Sequence, residues 1–245
     1  RAGIGHLIIA DIDSFEISNL NRQVFATLDT VGHDKAEASA EQMKRINPDL
    51  KIDVLGHDWH LAVEDSVKSA EVIINGTDDL GASLLLYRTA RAAGRPIIDA
   101  YASPLPSVYV TRPQDQMPEE RLSYPTIGKP WNDLTQDDRD AAFQAEALHV
   151  LVHSSSRHHV DLEAAGDVAA GRRSRMSFAP MVISTGMLMA YETVALILGK
   201  QTGTDNRGWF FNPYKPAVER PRSAPVAAVL HMIAKRFLTQ MMDDT

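Results

Sequence analysis

The chain has 245 residues, 44% of them hydrophobic, with 25 basic against 32 acidic side chains (net charge −7, histidine neutral) and no cysteine. A substantial core is available and wholesale disorder is excluded. The acidic balance argues against a nucleic-acid surface, which needs clustered Lys and Arg, and the lack of cysteine rules out disulfides, thiolate zinc ligands and a thiol nucleophile.

The opening "RAGIGHLIIAD" reads as the end of a helix, a glycine-bearing turn and a strand, so preceding residues are expected to be missing. His6–Ala10 is a nearly continuous apolar run, which predicts a strand buried on both faces of a parallel sheet. Residues 34–46 predict a helix closed by Asn47 and Pro48. "KIDVLG" then predicts a strand, "AVEDSVKSA" a short helix, and "EVIING" a second buried strand. A helix over about residues 80–93 follows, then strands at "RPIIDA" and "SVYVT". Strands and helices alternating at these lengths predict a Rossmann-like α/β fold, a mostly parallel sheet wrapped by helices. Ligands of such sheets lie beyond the carboxyl ends of the strands.

Residues 112–176 are polar and rich in proline, and read as a long crossover insertion over the sheet. Within it, Thr135 is a predicted N-cap, with Asp138 three residues on, for a helix to about residue 152. In "HSSSRHH", His153, His158 and His159 raise a metal reading, but beyond Asp161 no neighbour has ligand spacing, and a solvated loop is expected. "AAGRRSR" is a basic stretch able to guide an acidic tail, with a solvated patch as the ordinary alternative. "APMVISTGMLMAYETVALILGK" predicts a helix apolar nearly all round except at Glu192, either central or at a dimer interface. "GWFFNPY" predicts a strand and turn. In the last helix Val226, Val229, Leu230, Ile233, Phe237, Leu238 and Met241 recur at helical spacing, as core residues do. The chain is expected to be one domain, 1–245, with 205–245 as a C-terminal extension. No run of about 18 uninterrupted apolar residues marks a membrane span, no signal-peptide pattern is recognised, and a cytoplasmic location is expected.

Four short pieces carry chemistry: "DID" at 11–13, "SNLNRQ" at 18–23, "VGHDK" at 31–35 and "NGTDD" at 75–79. An acidic group just past a strand, as at Asp11, can accept from both hydroxyls of a ribose. Asn19, Arg22 and Gln23 sit at i, i+3 and i+4, so one helical turn presents all three on one face. Lys35 opens a helix, where unsatisfied N–H groups favour phosphate. Asp78 is a hard-oxygen ligand suited to magnesium that keeps several waters. Each piece alone has an ordinary structural use. Their order and spacing raise the functional reading.

On these residues the chain resembles the ThiF/MoeB-like adenylyltransferases, whose fold is shared with the activating enzymes of ubiquitin-like proteins. "DIDSFEISNLNRQ", "GHDK", "TDD", "INPDL" and the late "MVISTGMLMAYETVALILGK" follow that family's pattern, over about residues 1–100 and 176–200. The resemblance implies ATP and magnesium as cofactors. It places Asp11 on the ribose with Asp13 beside it, Asn19, Arg22 and Lys35 on the phosphates with Gln23 in support, and Asp78 on the metal. Arg22, Lys35 and Asp78 would then be the catalytic set. The implied partner is a small β-grasp carrier protein or a peptide, whose terminal carboxylate is adenylated, and a homodimer is expected.

Four features depart from the family pattern. The first strand and its Gly-rich loop are not present, the two zinc-binding cysteine pairs are absent, and no cysteine in the insertion can carry a thioester. "TDD" stands for the usual "TDN", and "DAYASPLPSVYV" lacks the usual glycine. A non-catalytic scaffold or partner subunit of a heteromeric activating enzyme is the alternative reading. An NAD-dependent oxidoreductase rests on fold analogy alone.

Overall fold

Short apolar runs form strands, and the amphipathic segments between them form the helices that cover the sheets. The structure is a computed structural model that describes residues 2–161, 172 and 177–243, with side chains to residue 235 in the last helix. Most of "AAGRRSR" lies outside the described residues.

Strands β1 (His6–Ala10) and β2 (Lys51–Leu55) pair in parallel, with His6 opposite Lys51. Helix α1 (Lys35–Ile46) connects them, and its N-cap Asp34 accepts from the Glu37 amide at 2.9 Å. After α2 (Trp59–Ser69), strands β3 (Ile73–Ile74) and β4 (Ile97–Asp99) form a second parallel pair joined by α3 (Leu80–Ala92). Strands β5 (Ser107–Thr111), β6 (Trp209–Asn212) and β7 (Ala217–Glu219) then extend this sheet antiparallel, in the order β3-β4-β5-β6-β7. The α/β class expected from the sequence is present, with a mixed rather than mostly parallel second sheet. The predicted double burial of β1 is not met. Its residues are half-buried or exposed, because β1 has β2 on one edge and no other ladder among the described residues.

Helices cover both faces of the second sheet. On one, Val63 and Val67 of α2 and Tyr87 and Ala90 of α3 pack with Ile73 and Ile97. On the other, Leu188, Met189 and Leu196 of α6 (Ala179–Ile197) lie against Ile98, Val108 and Val110. By length and composition α6 is the one described helix apolar enough to cross a membrane, a feature the reading of the sequence missed. Here it packs as a core helix on one side only, and its burial is inverted: Glu192 is the buried residue while Ile183, Met187 and Tyr191 are exposed. Glu192 accepts from the Thr204 hydroxyl, which itself accepts from the Trp209 indole at 2.8 Å.

The insertion is fastened to α3 through α4 (Pro118–Arg121) and to the sheet through α5 (Gln136–His153). Val150 of α5 joins Tyr101, Leu105, Tyr109 and Phe210 in a third core cluster. Beside it, His149 Nδ1 faces Arg121 Nη1 at 3.2 Å and Nε2 faces the Arg207 carbonyl at 3.2 Å. The guanidinium can only donate, so Nε2 carries the ring proton. Burial, with the Arg121 charge, pushes His149 down to about 3, so the ring stays neutral.

"HSSSRHH" is not the solvated loop expected. Ser154, Ser155 and Ser156 are buried, and the Ser155 amide and hydroxyl both donate to Glu219 at 2.6 Å. His159 stacks on Tyr214, and no group of three ligating side chains converges among the described residues. The last helix, α7 (Ala224–Asp243), lies along α5, but Val226, Val229 and Ile233 are exposed rather than core.

Gly208, at the entry to β6, has φ +69° and a Cβ there would stand 2.3–2.7 Å from the Tyr109 ring. Gly208→Ala combines a left-handed penalty with overpacking of a buried ring, about 3 kcal/mol in sum. Urea unfolding of the purified variant is expected to show that loss.

Candidate nucleotide site

The candidate site residues lie on two loops at strand ends, past β1 and past β3. Past β1, the chain turns back so that residues 13–15 run beside 32–35, with Ser14 bridged to Asp34. Phe15 is buried and anchors this return, its amide donating to the His33 carbonyl at 2.9 Å and its carbonyl accepting from the Gly32 amide at 2.7 Å. Lys35 is thereby brought onto Asp13: the Lys35 amide donates to the Asp13 carbonyl at 2.9 Å, and Nζ meets Oδ2 at 2.8 Å. The Lys35 side chain is 13% exposed against 67% for Asp13, so the lysine is held in place and the carboxylate faces solvent. Asp11 Oδ1 accepts from the Asp13 amide at 3.0 Å, which ties the two aspartates together.

The "SNLNRQ" piece forms the single turn that the spacing predicts. The amides of Arg22 and Gln23 both donate to the Asn19 carbonyl, at 3.1 and 3.0 Å. Asn19 is buried, however, and its Oδ1 accepts from the Glu16 amide at 3.0 Å, so this side chain builds the turn. Arg22 Nη1 donates to the Ser18 carbonyl at 2.7 Å and to Asn21 Oδ1 at 3.0 Å. Its partners are neutral, so the positive charge is not cancelled by any carboxylate among the described residues.

Past β3, Asp79 caps α3, accepting from the Ala82 amide at 2.8 Å, and its other oxygen takes Arg139 Nη1 of α5 at 2.5 Å. This explains the "TDD" variant: the second aspartate receives an arginine from the insertion. The backbone of the same insertion crosses α3 so closely that a Cβ at Gly81 would stand 2.6 Å from the Trp131 carbonyl oxygen. Asp78 is exposed and makes no hydrogen bond or ion pair among the described residues. The structure thus groups Asp11 and Asp13 with Lys35, and Asn19 with Arg22 and Gln23. No hydrogen bond or ion pair among the described residues joins Asp78 to either group.

Sequence reasoning missed two residues. Arg139 gave no local signal, since its partner lies 60 residues away in the sequence. Asp99 could have been found by the rule that singled out Asp78, an acidic residue ending a strand. It is buried, and burial raises it to about 6 against hydrogen bonds led by that from Tyr87.

The sequence profile of the ThiF family matches residues 1–228. The chain belongs to the ThiF family. Among curated ThiF-type relatives, the sulfur carrier protein ThiS adenylyltransferase of Escherichia coli (strain K12) is 30% identical over 102 residues, 41% of each chain. The SAMP-activating enzyme E1 of Haloferax volcanii is 33% identical over 97 residues, 39% of this chain and 36% of that one. The chain spans about two fifths of the length of these relatives. Its fold is that of E. coli MccB, solved with ATP, at TM-score 0.58 and 16% identity over 91% of this chain and 58% of that one.

Proposed function

We propose that the chain is an ATP-dependent adenylyltransferase. It activates the C-terminal carboxylate of a small β-grasp carrier protein or peptide as an acyl-adenylate, releases pyrophosphate, and uses no cysteine thioester. The observation that carries this reading is the Arg22 guanidinium, fixed by neutral groups of its own turn and left with its charge available. A terminal carboxylate has a reference pKa of about 3.5 and is ionised at neutral pH. It attacks the α-phosphorus directly, without a protein nucleophile or general base, so the absence of cysteine is no obstacle. Catalysis then consists of positioning and of charge stabilisation at phosphorus.

In this reading Asp11 accepts from the ribose hydroxyls, while Arg22 and Lys35 bind phosphate oxygens and Asn19 and Gln23 support the turn. Asp13 keeps Lys35 in place. Asp78 fits magnesium: it is an exposed carboxylate with no protein partner among the described residues, and this metal takes one or two carboxylates with waters and phosphates. When bound, the metal supplies charge neutralisation on the phosphate oxygens. The name of ThiS adenylyltransferase, and the structures of MccB with its peptide MccA, support a carrier or peptide as substrate. A homodimer is supported by the exposed stripe of Ile183, Met187 and Tyr191 at one-turn spacings on α6, with Leu198 two turns further on.

The test is ATP–pyrophosphate exchange with the carrier or peptide encoded beside this gene. Exchange that depends on that substrate is the expected result. Full-rate exchange with no substrate added would overturn the carboxylate-activating role.

A further inference from the structure

The turn that bears Asp78 is held by a buried polar relay that begins at the end of the neighbouring strand. Asp99, the last residue of β4, receives only donors: Tyr87 Oη at 2.8 Å and Asn75 Nδ2 at 3.1 Å on Oδ2, and the Ala100 amide at 2.7 Å on Oδ1. Asn75 follows β3 and is itself buried, its backbone amide bonded to the Ile98 carbonyl at 2.8 Å. Its Nδ2 also donates to Ser83 Oγ at 2.9 Å, and its Oδ1 accepts from the Thr77 amide at 3.3 Å. Thr77 Oγ1 in turn accepts from the Asp79 amide at 3.0 Å. Asp78 lies inside these nested bonds.

One orientation of the Asn75 amide satisfies both neighbours. A carboxylate at Asp99 demands the NH₂ end, and that leaves the oxygen for the Thr77 amide. We propose that Asp99 is a positioning residue for Asp78, acting through the orientation of Asn75. The proposal rests on the reading of Asp78 as the magnesium ligand. In Asp99→Asn the Ala100 amide claims the remaining oxygen, which turns the NH₂ toward Tyr87 and Asn75, and Tyr87 can turn its hydroxyl to accept. Asn75 must then reverse its amide, and its NH₂ is driven against the Thr77 N–H, two donors face to face. The bond that closes the Asp78 turn is lost.

Protonation does not reproduce the substitution. A carboxyl oxygen that donates its proton to Tyr87 Oη still has a lone pair for Asn75 Nδ2, so the Asn75 amide has no cause to reverse. Asp99 is raised to about 6 by burial, opposed most by the Tyr87 hydrogen bond. Its folded pKa lies above the unfolded 3.8, so the folded state holds the proton more tightly, and stability from this source is lost as pH rises towards 6.

The test is amide hydrogen exchange of residues 75–80 in the ligand-free protein, with the magnesium dependence of ATP–pyrophosphate exchange measured in parallel. At pH 8, Asp99→Asn is expected to lose protection at the Thr77 amide and to need about tenfold more magnesium for half-maximal rate. Tyr87→Phe, which removes a different donor from Asp99, should change neither. Unchanged Thr77 protection in Asp99→Asn overturns the proposal, and so does equal loss in Tyr87→Phe. Asp78→Asn separates the two readings. If it leaves the magnesium dependence intact, the assignment of Asp78 fails, while Thr77 protection still decides the relay.

Discussion

Arg22→Ala is expected to lower substrate-dependent ATP–pyrophosphate exchange by about 10²–10³, the cost of removing one preorganised donor from developing charge at phosphorus. The expectation follows from how the side chain is held. Among the described residues its Nη1 bonds only the Ser18 carbonyl and Asn21 Oδ1, groups of its own turn. The turn's other bonds run from the Arg22 and Gln23 amides to the Asn19 carbonyl and from the Glu16 amide to Asn19 Oδ1, and the substitution leaves them intact. The fold should survive, with the melting temperature close to that of the wild type. Arg22→Lys should recover only part of the rate, because an ammonium restores charge but not the planar two-point geometry. Loss of rate together with a large fall in melting temperature would mean that Arg22 supports the turn rather than the reaction. Retention of the full rate would remove it from the site.

How far the fold was legible depended on whether the deciding contact was local. Thr135 and Asp138 are three residues apart and were readable as a helix start; they form the reciprocal pair, at 3.2 and 3.0 Å. Asp34 and Asp79 likewise cap α1 and α3 within one turn. "SNLNRQ" closed its own turn as its spacing implied. What failed was burial, which depends on distant segments. His6–Ala10 has the composition of a central strand but one ladder partner among the described residues, and α6 hides its only charge while exposing its apolar stripe. The three serines at 154–156 look like loop residues until Glu219, some 64 residues on in sequence, is folded against Ser155. Asn19 reads as a phosphate contact by position, and its burial and the bond its amide oxygen accepts from Glu16 were not legible.

The insertion depends on α3 to a degree no local pattern announces, and a large stability effect is expected there. Arg88 grips Glu119 with two parallel bonds, Nε to Oε1 at 2.9 Å and Nη2 to Oε2 at 2.7 Å. It also donates to the Lys129 carbonyl at 2.6 Å and the Thr126 carbonyl at 3.0 Å, while Thr126 Oγ1 donates to Glu119 at 3.0 Å. The Glu119 side chain is 4% exposed, so removing Arg88 strands a carboxylate away from water. Arg88→Ala is expected to cost about 3 kcal/mol, the lower end for breaking a buried pair, since Arg88 itself is partly exposed. In a chain of this size that lowers the melting temperature by about 6–12 °C. Adding Glu119→Gln should return part of the loss, because the stranded charge is gone even though the pair is not restored. A cost below about 1 kcal/mol, as for a solvent-screened pair, would show that water reaches Glu119 freely. The same segment carries Lys129 onto Asp138 at 2.7 Å, one residue before Arg139 meets Asp79. Arg88→Ala should therefore also loosen the insertion beside Asp78, seen as faster hydrogen exchange at the start of α5, an effect Arg22→Ala should not share.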